Sequence, residues 1–101
     1  MSPAQEVPIL IAADHPAFAG HFPGFPVVPG ALLLDEALRI IAATAGIVPE
    51  RVAWAKFLRP VRPGEALLLR YATEPGGAIR FEITSDARTA ATGCVSVHRG
   101  T

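Results

Sequence analysis

The chain has 101 residues, nine basic against nine acidic, with half of its residues apolar and 18% charged. That is the length of one domain with enough apolar content for a core, which argues against disorder and against a second domain. Zero net charge without a basic run excludes a general electrostatic attraction to nucleic acid or anionic membranes, and the lone Cys94 excludes an intrachain disulfide or a multi-cysteine zinc site.

No basic stretch precedes the short N-terminal apolar run, and no apolar segment approaches the roughly 20 residues of a membrane span. The expectation is a single reduced, cytoplasmic domain over residues 1–101. Its small size makes self-association plausible from the outset.

Glu6 to Ala13 is expected as a first strand, confined to an edge or a strand start by Pro8. Asp14 to Gly30 follows, with four prolines, three glycines, three phenylalanines and two histidines. So much Pro and Gly forbids a helix or a central strand, and the phenylalanines forbid a simple solvated loop. A rigid, aromatic, buried loop is the physical expectation, and such loops carry function. Gly30 to Ala45 is predicted as a helix, opened by Pro29 and Gly30 and closed by Gly46 and Pro49. It is apolar on nearly every face, broken only by Asp35, Glu36, Arg39 and Thr44, so it is expected to be buried all round.

A strand meander is predicted next. Arg51 to Leu58 is one strand, Arg59 to Gly64 a turn, Glu65 to Thr73 a second strand and Glu74 to Gly77 a tight connection. Ile79 to Thr84 alternates cleanly, and Arg88 to His98 closes the sheet. The predicted class is α+β, with about five antiparallel strands wrapped around one central helix. One sheet covers only part of such a helix, and a second copy of the chain is the simplest cover for the rest.

The run Gly20-His21-Phe22-Pro23-Gly24-Phe25-Pro26-Val27-Val28-Pro29-Gly30, with Asp35 five residues on, resembles the signature of the 3-hydroxyacyl-acyl-carrier-protein dehydratases, which have the hot-dog fold. Lys56-Phe57-Leu58-Arg59-Pro60-Val61-Arg62-Pro63-Gly64-Glu65 is similar to a later strand and turn of that family. The resemblance implies that His21 is the catalytic histidine and that Asp35 is the catalytic acid, contributed by the neighbouring subunit. It implies that Gly30 presents backbone N–H to the thioester carbonyl, with Phe22, Pro29 and Ala31 beside it in the substrate site. It further implies a dimer and an acyl carrier protein as partner, with the substrate held on that protein's phosphopantetheine and no cofactor or metal. A heterodimer with a related chain is an alternative to the homodimer.

Dehydration needs a base for the C2 proton, an acid or positioned water for the C3 hydroxyl, and donors for the thioester oxygen. A neutral histidine, a carboxyl in an apolar helix and the free N–H groups of a first helical turn suit these tasks. Arg39 departs from the family, whose enzymes commonly carry glutamine there. A cation one turn from Asp35 favours its ionised form. Either Arg39 pairs with Glu36 instead, or Asp35 only orients a water, or the reaction differs. The remaining alternatives are an acyl thioesterase on the same fold and a non-catalytic carrier-binding subunit. His15 and His98 are expected to be structural or exposed, Cys94 to pack in a strand, and Trp54 to lie in the core or an interface. Arg59 and Arg62 are expected to form an ordinary charged turn, with contact to a carrier's acidic surface or to the phosphopantetheine phosphate as the alternative.

Overall fold

Alternation of side chains builds the sheet. The structure, a computed structural model, describes residues 4–11 and 27–98. In chain order the elements are β1 (Gln5–Leu10), α1 (Gly30–Ala45), β2 (Val48–Phe57), β3 (Ala66–Thr73), β4 (Ile79–Ser85) and β5 (Arg88–His98). The strands form one antiparallel sheet in the order β1-β3-β4-β5-β2. Odd-numbered positions of the central strands turn inward. Leu67, Leu69 and Tyr71 of β3, Ile79, Phe81 and Ile83 of β4, and Ala91 and Val95 of β5 are all buried. Register aligns them in rows across the sheet, as in Val7–Leu69–Ile83–Ala91.

The helix seats on that inner face. Leu33, Ala37 and Ile41, spaced four apart, are its buried residues and join the sheet's apolar side chains in one core cluster. The expectation of a helix buried all round is corrected here. Ala31, Asp35, Arg39 and Ala43 form an exposed line on the far side. Their small or charged side chains bury little apolar surface, so nothing drives that line into the chain's own core. Gly46 ends the helix in the left-handed region (φ 67°), its N–H donating to the Ala42 carbonyl.

The prolines Pro8 and Pro49 both fall on edge strands, where a missing N–H costs least. That placement lets β2 start at Val48, three residues before its predicted start. A bulge interrupts the β4–β5 pairing: Ile83 faces Ala91 while Thr84 faces Thr89, leaving Ala90 over. The Ala90 carbonyl accepts N–H bonds from Leu58 (2.8 Å) and Arg59 (3.2 Å), which ends β2 and aims the following turn toward the helix start.

Gly93 is required by close packing. A Cβ there would stand 2.5 Å from Cζ of Phe81, its partner across β4–β5, and 3.0 Å from the Trp54 carbonyl oxygen. Gly93→Ala is therefore expected to lower stability by about 1–3 kcal/mol in denaturant unfolding. Gly76→Ala, with nothing within 4 Å of the added carbon, is the matched control. Equal midpoints for the two variants would contradict the packing assignment.

Candidate active site

The start of α1 carries hydrogen-bond donors that have no partner among the described residues. Pro29 is the N-cap (φ −58°, ψ 140°), no side chain caps the helix, and the first turn holds no acidic residue. The first helical bond runs from the Leu33 N–H to the Pro29 carbonyl at 3.1 Å. The amides of Gly30, Ala31 and Leu32 therefore lack an intrahelical acceptor and concentrate the positive end of the helix dipole there.

The turn after β2 walls this helix end. Val28 N–H donates to the Val61 carbonyl (2.7 Å), and Gly64 N–H donates to the Ile11 carbonyl (2.8 Å). Gly64 has φ 83°, a conformation open to glycine at little cost. Between helix start and turn lies a cleft of about 270 Å³, walled by Val28, Gly30, Leu33, Phe57, Arg59 and Val61. The Phe57 ring presses on Gly30 so closely that a Cβ there would sit 3.2 Å from it. Nη1 of Arg59 is buried and has no hydrogen-bond partner among the described residues.

Asp35 lies elsewhere. It follows Leu33 by two residues, about 200° around the helix, and is exposed on the outward line. The cleft and the Asp35 carboxylate thus occupy opposite sides of one helix. Of the sequence-predicted residues, Gly30 lines the cleft, Pro29 caps the helix just before it, Ala31 is exposed, and Asp35 is not brought to the cleft within the chain. His21, Phe22 and His15 lie outside the described residues. Arg39 resolves one alternative left open by the sequence, because its Nη2 bonds Glu36 Oε2 at 2.7 Å.

Other candidates are placed apart. His98 is exposed, 3.9 Å from Glu50. Cys94 is half-buried on the outer face of β5, with Trp54 and Arg80 as its cross-strand neighbours. Trp54 is not in the core. It stands on edge strand β2, and its ring carries Lys56 and Arg80 at 5.7 and 5.5 Å. A larger cavity of about 510 Å³ lies at the other helix end, where Thr44 and Tyr71 share a hydrogen bond. Among the described residues neither cavity is lined by a carboxylate or imidazole, and it is the helix start bearing Gly30 that singles out the smaller one. The walls contributed by Phe57, at the end of β2, and Val61, on the turn after it, were missed in the sequence because no local pattern brings them to the helix. Among the described residues, no helix is long and apolar enough to cross a membrane.

A family model described as ApeI dehydratase (ApeI-like) matches residues 3–94. The 3-hydroxyacyl-[acyl-carrier-protein] dehydratase FabZ of Chlamydia trachomatis serovar L2 is 35% identical across 59% of this chain and 46% of that protein. FabZ of Polynucleobacter necessarius is 33% identical across 90% of this chain and 71% of that protein. The chain spans about half the length of the first curated relatives it matches. Among solved structures, the dehydratase heterocomplex ApeI:P from Xenorhabdus doucetiae superposes with a TM-score of 0.79 at 26% identity, covering 95% of this chain and 88% of that one. The R-hydratase PhaJ1 from Pseudomonas aeruginosa (TM-score 0.68, 16% identity, 94% of this chain and 78% of that one) shares the fold. The one-helix, five-strand arrangement is the hot-dog fold.

Glu65 holds the wall of the cleft together. Its carboxylate accepts hydrogen bonds from the Ser85 hydroxyl and from Arg62 N–H (3.0 Å). The Ser85 bond, then the Arg62 N–H, hold the Glu65 carboxyl below its ordinary value, helped by the nearby charges of Arg59 and Arg62. A carboxyl lowered in the folded state contributes stability above its unfolded pKa, near 4.3, and loses it as pH falls through the folded value. Glu65→Gln should cost about 1 kcal/mol at neutral pH. It should also flatten the loss of stability on the acid side of pH 4. Unfolding midpoints measured from neutral to acid pH check this, and parallel curves for the two proteins would contradict it.

Proposed function

We propose that this chain, which belongs to the ApeI-like dehydratase family, converts 3-hydroxyacyl groups on an acyl carrier protein to trans-2-enoyl groups. The observation that carries the proposal is the uncapped N-terminus of α1 opening on an apolar cleft, at the glycine that ends the His21–Gly30 motif. Free amides there are suited to the negative charge that gathers on a thioester oxygen when C2 loses its proton. His21, nine residues before Gly30, takes that proton as a neutral imidazole. The C2–H electron pair becomes the C2=C3 bond, the C3–O bond breaks, and the hydroxyl leaves as water. The proton it needs comes from Asp35 or from a water that Asp35 orients.

Asp35 serves this chemistry from a second chain. It faces away from the cleft of its own helix, so a site that uses both needs two copies. Strand β2 supports such pairing. It is the last strand of the sheet, with one side unpaired, and Val48, Trp54, Phe57 and Leu58 on and beside it are 62%, 37%, 50% and 56% exposed. A long apolar edge of this kind invites a partner strand. The proposed unit is a homodimer with two composite sites. The Xenorhabdus protein is a heterocomplex, which makes a related second chain the alternative partner. Arg59 and Arg62, on the turn that walls the cleft, are proposed to face the carrier.

His21→Ala is expected to abolish enoyl formation from carrier-bound 3-hydroxyacyl chains, with the dimer retained in sedimentation. Turnover at the wild-type rate in that variant would sink the proposal. Asp35→Asn, close to isosteric, should lower kcat about 100-fold without a comparable change in the unfolding midpoint. A rate within about twofold of wild type would remove Asp35 from the reaction.

A further inference from the structure

Two adjacent carboxylates compete for one cation on the outward side of α1. Asp35 and Arg39 are four residues apart on the exposed line, with the acid nearer the helix N-terminus, which is the favourable order for pairing across one turn. That pair does not form. Arg39 instead turns to Glu36, three residues back, with Nη2 and Oε2 2.7 Å apart. The ion pairs within the described residues leave Asp35 out. Glu36 is the better fixed of the two partners, its side chain 24% exposed against 64% for Arg39. An exposed pair of this type contributes little to folding. Its consequence is where it puts the guanidinium.

We infer that Glu36 is a positioning residue, which anchors Arg39 away from Asp35 and leaves the Asp35 carboxyl free to meet the leaving hydroxyl. This rests on the role given to Asp35 above. Without Glu36, Arg39 has one carboxylate left within a helical turn. Bound there, it occupies the Asp35 oxygens, which removes them from meeting the leaving hydroxyl or orienting a water. In the closed composite site, where such a contact is shielded from water, it withholds the carboxylate from the reaction, and the loss in turnover is about tenfold.

The test is a double-mutant cycle on the full-length protein, read by enoyl formation from a carrier-bound 3-hydroxyacyl chain. Glu36→Gln keeps the side chain's size, and Glu36→Ala removes it. Both should lower kcat about tenfold with KM and the unfolding midpoint unmoved. Glu36→Gln/Arg39→Gln should return to within about twofold of wild type, because the cation to be held is gone. A merely structural glutamate would not be rescued in this way. Wild-type kcat in both single variants overturns the inference, as does a double variant no faster than Glu36→Gln. If either single variant does not fold, the other and the double variant still decide. A wild-type protein without dehydration would instead overturn the proposed function, and the inference with it.

Discussion

Leu33, Ala37 and Ile41 are buried in one core cluster with Leu69, Ile83 and Val95, and this burial sets the rotation of the helix. Its functional consequences follow from helical geometry. Gly30 is delivered to the turn after β2, where Phe57 and Val61 enclose it. Asp35, about 200° around from Leu33, is turned outward. A helix rotated by about half a turn would bury Asp35 without a partner, at a cost of several kcal/mol. The charged line therefore also helps to fix which side faces the sheet.

Most of the fold was legible because its signals are local. The helix ends at Gly46 because an αL residue is needed there, and the β3–β4 connection falls at Pro75-Gly76-Gly77, where Gly77 has φ 97°. The β4–β5 turn was less visible. Its two residues, Asp86 and Ala87, both have positive φ, and alanine gives no sign of that in a sequence. The bulge at Ala90 was equally hidden. It depends on Leu58 and Arg59 arriving from a distant part of the chain to share one carbonyl.

The site divides along the same line. Pro29 and Gly30 were readable as the helix start at the end of a motif, and the structure places Gly30 at a cleft. The partner of Arg39 was not readable, since Glu36 at three residues and Asp35 at four are both within reach on a helix. Packing decides it: Glu36 lies nearer the covered side and its carboxylate is held more firmly. Phe57 owes its place to the antiparallel register between β2 and β5, and Val61 to the bond its carbonyl accepts from Val28 N–H; no local pattern encodes either. His21 was legible from its motif, and its place relative to the cleft lies outside the described residues.

The central claim is that each reaction centre draws its histidine from one copy of the chain and its carboxylate from another. Mixing tests it most directly. His21→Ala and Asp35→Asn chains, each at about 1% of wild-type activity or less alone, are unfolded together, refolded and assayed. Random pairing makes half of the dimers mixed, and one of the two sites in each has both groups intact, so activity should return to about a quarter of wild type. A mixture as inactive as its two components, with mixed dimers shown to be present, would contradict the account.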